Sequence, residues 1–209
     1  METLDLKKKY KSLYYPPSKE VQCIEIPRFN FLMIDGNIEP GMEPGNSPAF
    51  QAATAAMYGA AYTLKFMVKK REQGPIDYPV MALEGLWWVE DGFFDITVKD
   101  NWFWTLLIMQ PDFITQTMFE DAVAGLVKKK GEGAFPRLRL ESFEEGLCVQ
   151  TMHIGPYATE PETVARLEAY ARERQLQFHH KHHEIYLGDP RKAKPELLKT
   201  VLRHPVSRV

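Results

Sequence analysis

Cysteine, long apolar runs and excess charge of either sign are all scarce in this sequence of 209 residues. The two cysteines, Cys23 and Cys148, lie far apart in a chain large enough to need no cross-links. This favours buried free thiols and a reducing, cytoplasmic environment. No segment reaches the ~18 apolar residues typical of a membrane span, and no apolar stretch follows the basic N-terminal run. We therefore expect neither a membrane protein nor a secretory signal.

Sequence motifs for nucleotide binding and for nucleophilic catalysis are also missing. The sequence contains no phosphate loop, dinucleotide fingerprint, nucleophile elbow or kinase signature, so no cofactor is expected. A formal net charge of −2 argues against nucleic acid as the principal ligand. Hydrophobic residues make up 44% of the chain, which is enough to bury an ordinary globular core.

Turn residues divide the chain into strand-like and helical runs. Residues 1–20 indicate an extended lead-in segment, and residues 21–209 a single domain. The first unit, about 21–112, starts with two apolar runs around Pro27 and Arg28, which fit a hairpin or a bent strand. A helix is predicted to start at Ser47 and Pro48, the preferred residue types for a helix N-terminus. The strand-like runs that follow cover 78–89, 93–98 and 102–110.

The second unit, about 135–207, repeats this order, and a helix near 115–130 joins the two. Residues 137–143 and 147–154 are predicted to form a hairpin, Thr159 to Glu162 a capping box, and 180–187 and 198–206 two strands. Gly36 and Gly155 close corresponding strands. This predicts a duplicated unit of hairpin, helix and hairpin with ligand space between the halves. The helix-to-strand spacing differs between the halves, so chance resemblance is the alternative.

Glu184 is a carboxylate in an aromatic setting near the C-terminus. Period-two alternation places it on the same strand face as Tyr186. One interpretation is an edge-strand carboxylate turned to water or paired with a lysine. The other is an anion at the bottom of an aromatic pocket, where Coulomb attraction, cation–π contact and apolar burial would hold a lipophilic cation.

Glu84 and the tryptophans form a second set of candidates. Alternation puts Glu84 and Trp87 on opposite strand faces, unless a bulge at Gly85 brings both to one cavity. The alternative is a core tryptophan beside a surface tryptophan, with Glu84 at the surface. Trp102 and Trp104 point to one side of their strand, where packing is the ordinary role and ligand contact a second interpretation.

Tyr157 follows Gly155 at a strand end, where its hydroxyl fits either a cleft or a plain surface turn. His153 fits a hydrogen-bonded structural histidine better than a ligand or a base. On a strand, His180, His182 and Glu184 would share a face, a possible metal-ligand set. They would span ~13 Å, too far for one ion, so no metal site is predicted.

Several short motifs in combination resemble the GyrI-like small-molecule-binding family. They are His153-Ile154-Gly155-Pro156-Tyr157, Glu184-Ile185-Tyr186-Leu187-Gly188-Asp189-Pro190, Leu83-Glu84-Gly85-Leu86-Trp87 and Gln110-Pro111-Asp112-Phe113. The resemblance covers nearly the whole chain. It implies an α+β fold of tandem duplicated β-α-β-β units, similar to the effector domains of multidrug-sensing transcription activators. No helix-turn-helix region precedes residue 21, so direct transcriptional control is not expected.

The family implies two functions for the same pocket. The first is binding of planar, lipophilic, often cationic small molecules, with Glu184 as the carboxylate at the cavity floor. The second is hydrolysis of cyclopropane rings in DNA-alkylating natural products, with Glu184 activating water and Tyr157 donating a hydrogen bond. A gyrase-inhibitor role, also known in the family, has no support in the surface charge. The candidate ligand-contacting residues are Glu184, Tyr157, Trp87, Tyr186, His153, Glu84 and Trp104.

Overall fold

A computed structural model describes residues 2–92, 94–98, 101–131 and 137–209. The strands are β1 (Glu2–Thr3), β2 (Gln22–Ile26), β3 (Phe29–Asn37), β4 (Ile76–Asp77), β5 (Leu83–Trp88), β6 (Phe103–Gln110), β7 (Arg139–Phe143), β8 (Gly146–Ile154), β9 (Leu176–Phe178), β10 (His182–Tyr186) and β11 (Lys199–Arg208). The α-helices are α1 (Leu6–Lys9), α2 (Lys11–Tyr14), α3 (Pro48–Lys69), α4 (Gln116–Lys130) and α5 (Glu160–Glu173).

The described strands form a two-stranded sheet of β1 and β4 and a large sheet in the order β2-β8-β11-β10-β5-β6-β3-β7, with β9 beside β11. Two β-α-β-β units are visible in this order: β3-α3-β5-β6 and β8-α5-β10-β11. They meet where β5 pairs antiparallel with β10. The α+β class and the tandem β-α-β-β arrangement are therefore confirmed. The predicted start of the second unit, residue 135, lies outside the described residues.

At the start of each unit, the chain bends between two strands that do not pair with each other, so neither β2–β3 nor β7–β8 is a hairpin. β2 pairs with β8, and β3 pairs with β7. The bent-strand alternative at Pro27 is thus correct, whereas the hairpin predicted between 137–143 and 147–154 is wrong. Glu144 and Glu145 form a corner rather than a reversal, and Arg28 Nη2 lies 3.2 Å from Glu144 Oε2 across the two corners. Since each bent chain supplies strands at opposite ends of the sheet, the sheet must curve.

The helix starts follow the predicted residues with one exception. Ser47 Oγ accepts a hydrogen bond from Phe50 N at 3.1 Å, and Thr115 Oγ1 accepts one from Met118 N at 3.3 Å. The capping box at Thr159 is wrong, because Thr159 Oγ1 donates to the Pro156 carbonyl at 2.9 Å and makes no cap bond.

Several predicted boundaries also change. The strand-like run at 78–89 is a strand from Leu83 only. Residues 94–98 form a turn, while Phe93, Lys99 and Asp100, which belonged to the predicted strand and turn, lie outside the described residues. His180 precedes β10 with a φ of 58°, so it is not part of the strand with Glu184. Cys148 is buried as expected, but Cys23 is exposed; both are free thiols. In the described part of the chain, no helix is long and apolar enough to cross a membrane.

The two faces of the large sheet are covered differently. α3 and α5 cover the face that carries Trp87, Glu184 and His153, which we call the helix face. The N-terminal segment, predicted to be extended, folds into α1 and α2. It lies on the opposite face, where Tyr14 is 1% exposed.

A buried polar network joins the N-terminal segment to the opposite face. Tyr14 donates to Glu84 Oε1 at 2.7 Å, and the His183 ring contacts Glu84 through Nε2 and Glu145 through Nδ1, each at 3.0 Å. Arg203 donates to Glu145 Oε2 at 3.1 Å and to the Leu13 carbonyl at 2.8 Å. Burial opposes the charged form of His183, but the charge of Glu145 outweighs it and raises the pKa of His183 to about 9.

This network predicts a loss of stability at alkaline pH. The pKa of His183 is about 9 in the fold against about 6.5 in the unfolded chain, so its contribution is complete below pH 6.5 and is lost as pH rises through about 9. We expect the free energy of unfolding to fall across this range by an amount on the order of 2 kcal/mol. Urea unfolding at pH 6.5 and 9 measures it. His183→Gln should be less stable at pH 6.5 and show a smaller decline; equal declines would contradict the assignment.

Candidate functional site

The candidate site lies on the helix face where the two units meet. In the β5–β10 ladder Glu184 is opposite Gly85, and His182 is opposite Trp87. Residues directly opposite one another share a face, so Glu184, His182 and Trp87 all point between α3 and α5. Glu184 is 6% exposed. The edge-strand interpretation of Glu184 therefore does not apply, because β10 has a strand on each side.

A short chain of hydrogen bonds fixes the Glu184 carboxylate. Trp87 Nε1 donates to the Tyr186 hydroxyl at 2.9 Å, and that hydroxyl donates to Glu184 Oε2 at 2.7 Å. Tyr186 is thus an orienting partner of Glu184. The other oxygen, Oε1, lies 3.4 Å from His182 Nε2. That nitrogen makes no hydrogen bond within the described part of the chain, so the pair is near but not bonded.

Gly85 makes room for this chain of bonds. A Cβ atom at Gly85 would lie 2.8 Å from Trp87 Nε1 and 3.1 Å from the Tyr186 hydroxyl. The ladders on both sides of β5 run without interruption through Gly85. The bulge considered at Gly85 is therefore wrong, and close approach of side chains explains the glycine.

A second carboxyl group, Glu160, lies beside Glu184. It is the first residue of α5 and is 2% exposed. Burial, reinforced by the charge of Glu184, raises the pKa of Glu160 to about 9, although a hydrogen bond with Thr200 opposes the shift. Its Oε1 atom has no hydrogen-bond partner among the described residues. Glu160 therefore holds its proton at neutral pH and keeps one oxygen available.

Aromatic rings surround the two acids. Phe50, in the first turn of α3, stacks on Trp87 at 5.6 Å and meets Trp104 edge-on at the same distance. Trp87 and Trp104 are each 2% exposed, so Phe50 covers both rings. Trp104 Nε1 is buried without a hydrogen-bond partner in the described residues. Both tryptophans predicted as ligand contacts thus belong to the site wall, one layer behind Phe50.

Tyr157 lies at the rim of the site. It is 39% exposed, and its ring meets Tyr186 edge-on at 6.0 Å. Burial of the hydroxyl raises the pKa of Tyr157 to about 12, so it remains a hydrogen-bond donor. His153 supports the preceding turn, with Nε2 3.2 Å from the Pro156 carbonyl and Nδ1 2.9 Å from Thr163 Oγ1. Both nitrogens of His153 are therefore engaged by the protein.

His182 and His204 pack against one another and against aromatic rings near the site. Phe94 stacks on His182 at 5.5 Å, and His204 lies 5.8 Å from it. Burial lowers the pKa of His204 to about 3. Within the described residues, no group of three or more His, Cys, Asp or Glu side chains could hold a metal ion.

Glu84 is separated from this site by the sheet. It occupies the strand that corresponds to that of Glu184, but it points to the opposite face, into the network with Tyr14 and His183. A small pocket adjoins this network. Because its charged side chains bind one another, they are committed to the fold. The structure does not bring Glu84 together with Glu184.

Sequence reasoning missed Glu160 and Phe50 as site residues. Glu160 lies between the two paired positions of the predicted capping box, Thr159 and Glu162, and Phe50 lies in the first turn of the helix predicted to start at Ser47 and Pro48. The usable signal was position, since both lie in the first turn of the helix that follows the first strand of a unit. Equivalent helix starts in a duplicated fold lie near the line between the halves.

The fold and site define a small-molecule binding protein with a buried acidic and aromatic centre. A family model described as "GyrI-like small molecule binding domain" matches residues 19–207. The chain therefore belongs to the GyrI-like family.

Solved structures agree with this assignment. The chain is 43% identical to an uncharacterized conserved protein from Listeria innocua, with a TM-score of 0.86 over 98% of this chain and 100% of that one. It is 40% identical to a protein titled a hydrolase from Listeria innocua, with a TM-score of 0.84 over 99% of this chain and 100% of the other. The EcmrR C-terminal domain shares the fold at 13% identity, with a TM-score of 0.58 and coverage of 91% and 98%. Comparison with curated proteins finds no match.

Gly85→Ala tests the packing of the site. The added methyl group would collide with Trp87 Nε1, so we expect the Trp87–Tyr186 bond to break and the free energy of unfolding to fall by about 1–3 kcal/mol. Urea denaturation measures the loss. Gly125→Ala is the control, because nothing lies within 4 Å of its Cβ position in α4. It should be neutral or stabilising by up to ~1 kcal/mol. Wild-type stability of Gly85→Ala would show that the space is not needed.

Proposed function

We propose that this protein binds planar, lipophilic aromatic compounds, preferentially cations, between α3 and α5. The observation that carries the proposal is the Glu184 carboxylate, buried among rings and held by Tyr186 through one oxygen. Its second oxygen lies 3.4 Å from His182 Nε2, which makes no hydrogen bond among the described residues. The family and its printed description support a small-molecule ligand.

The physical case rests on desolvation. A lipophilic cation is weakly hydrated, so it loses little on entering an apolar site, whereas a buried carboxylate attracts it more strongly than one in water. Rings add cation–π and stacking contacts. Tyr157 at the rim and Phe50 over Trp87 are the rings that a flat ligand approaching Glu184 would meet first.

The proposal extends to the location of the protein and to its partners. We propose the cytoplasm as the location, since both cysteines are free thiols. Small molecules rather than nucleic acid or membranes are the proposed partners, in keeping with the net charge of −2.

Glu184→Gln separates charge from shape. The amide keeps the size of the side chain but removes the negative charge, so affinity for a cationic rhodamine dye should fall at least tenfold, about 1.4 kcal/mol. A neutral aromatic of similar size should lose much less. Fluorescence anisotropy titration measures both. Glu168→Gln, on the exposed side of α5, is the matched control and should bind like the wild type. Equal losses for the two ligands would remove Glu184 from the counter-ion role.

A hydrolase acting in the same pocket is the second candidate. It is favoured by the related Listeria innocua structures titled hydrolases, at 40% identity. Glu184 would take a proton from water while the water oxygen bonds to a cyclopropane carbon. The ring C–C bond breaks, its electron pair moves to a conjugated oxygen, and Tyr157 donates a hydrogen bond to that oxygen. The oxygen then takes a proton from solvent, and Glu184 releases to solvent the proton that it accepted.

Turnover decides between the two candidates. Purified protein is incubated with a cyclopropane-containing alkylating natural product, and the ring-opened water adduct is measured by mass spectrometry. A hydrolase should give adduct at a rate proportional to enzyme, with a loss of about 10²-fold or more in Glu184→Gln and a smaller loss in Tyr157→Phe. An adduct rate no higher than in buffer would exclude this activity for that substrate and leave binding.

A further inference from the structure

We infer that the pair of Glu160 and Glu184 carries one proton, held by Glu160, and that an organic cation entering the site displaces it into solvent. A neutral ligand would leave the proton in place. This rests on the proposed function, because it concerns what the same site does when its ligand is charged. Proton displacement would make the charge of the site depend on the charge of the ligand.

The placement of Glu160 is the first step. Thr200, which hydrogen-bonds to Glu160, is paired with Tyr186 in the β10–β11 ladder. Tyr186 in turn holds Glu184 at 2.7 Å. Glu160 is thus bonded to Thr200 and Glu184 to Tyr186, and these two partners are opposite each other in the β10–β11 ladder on the helix face. Both act on the same two phenols, Tyr157 and Tyr186, whose pKa values they raise in addition to the effect of burial.

The second step is the shortage of positive charge around the pair. The groups that face it are Tyr157 from the turn before α5, Tyr186 and His182 from β10, Thr200 from β11 and His153 from β8. Among the described residues, no lysine or arginine forms an ion pair with either carboxyl. Burial lowers the pKa of His153, which favours its neutral form.

The cost of charge then decides the protonation. Two buried carboxylates that act on each other, with no lysine or arginine paired to either among the described residues, repel each other, so one of them keeps a proton. The N-terminus of α5 favours a negative charge on Glu160, but burial and Glu184 outweigh it. The free Oε1 atom of Glu160 points to the same conclusion, since it lacks the donors that would stabilise a second carboxylate. A bound cation supplies the missing charge and makes loss of the proton favourable.

The ligand-free protein offers the first test. Carboxyl carbon chemical shifts of glutamate, followed by NMR from pH 4 to 10, should show one site residue titrating above neutral pH. This titration should vanish in Glu160→Gln and move towards ordinary acidic pH in Glu184→Gln, where the repelling charge is gone. An unchanged alkaline titration in Glu184→Gln, or none in the wild type, would overturn the inference that the pair carries one proton.

The second test measures the displaced proton. Calorimetric titration with a permanently cationic rhodamine ester in two buffers of different ionisation enthalpy should show release of up to one proton per dye at pH 7–8. Affinity should rise with pH, by at most tenfold per unit. Glu160→Gln should bind the dye without proton release and without this pH dependence. Glu162→Gln, which changes an exposed residue in the same turn of α5, should behave like the wild type.

The outcomes separate the two proposals. Dye binding without proton release, or release that persists in Glu160→Gln, would overturn the inference and leave the proposed function intact. No dye binding in the wild type would contradict the proposed function and the displacement together, while the NMR titration would still decide whether the pair carries one proton.

Discussion

The antiparallel pairing of β5 with β10 is the constraint on which the rest of the site depends. It joins the two units, and its register decides which side chains point between α3 and α5. A shift by one residue would turn Glu184 to the opposite face and bring His183 to the helix face. Gly85, opposite Glu184, permits this register because it leaves space for the bond from Trp87 to Tyr186.

The two faces of this strand pair handle buried acids in different ways. On the opposite face, Glu84 and Glu145 meet His183 and Arg203, and the pKa of Glu145 falls to about 2 despite its burial. Charge is balanced there inside the protein, which ties the N-terminal segment to the sheet. On the helix face, Glu184 and Glu160 have no such guanidinium partner among the described residues. This contrast between paired and unpaired buried carboxyl groups supports the helix face as the candidate ligand site.

Sequence patterns predicted the class of fold, the start of α3 and the shared face of Glu184 and Tyr186, since these follow from local rules of capping and alternation. Alternation also predicted that Glu84 and Trp87 point to opposite faces of the sheet, and the uninterrupted ladder through Gly85 confirms this. The hairpin at Glu144 could not be excluded from sequence, because a bend and a reversal use similar turn residues. The role of Glu160 depends on a neighbour 24 residues away in sequence (184 minus 160), a proximity that helix packing creates.

Duplication followed by divergence explains how one site arises from two similar halves. The first unit supplies rings, through Phe50, Trp87 and Trp104, while the second supplies acids and hydroxyls, through Glu160, Glu184 and Tyr157. The corresponding glycines have also diverged: a Cβ atom at Gly36 would lie 2.2 Å from the Trp104 ring, whereas Gly155, at a φ of 142°, starts the turn that carries Tyr157. Among the described residues, the stacked rings that form the wall come from the first unit, and the buried carboxyl groups near Tyr186 come from the second. Recognition of a lipophilic cation needs the two together, because a wall without charge would not select a cation and a carboxylate without a wall would remain hydrated.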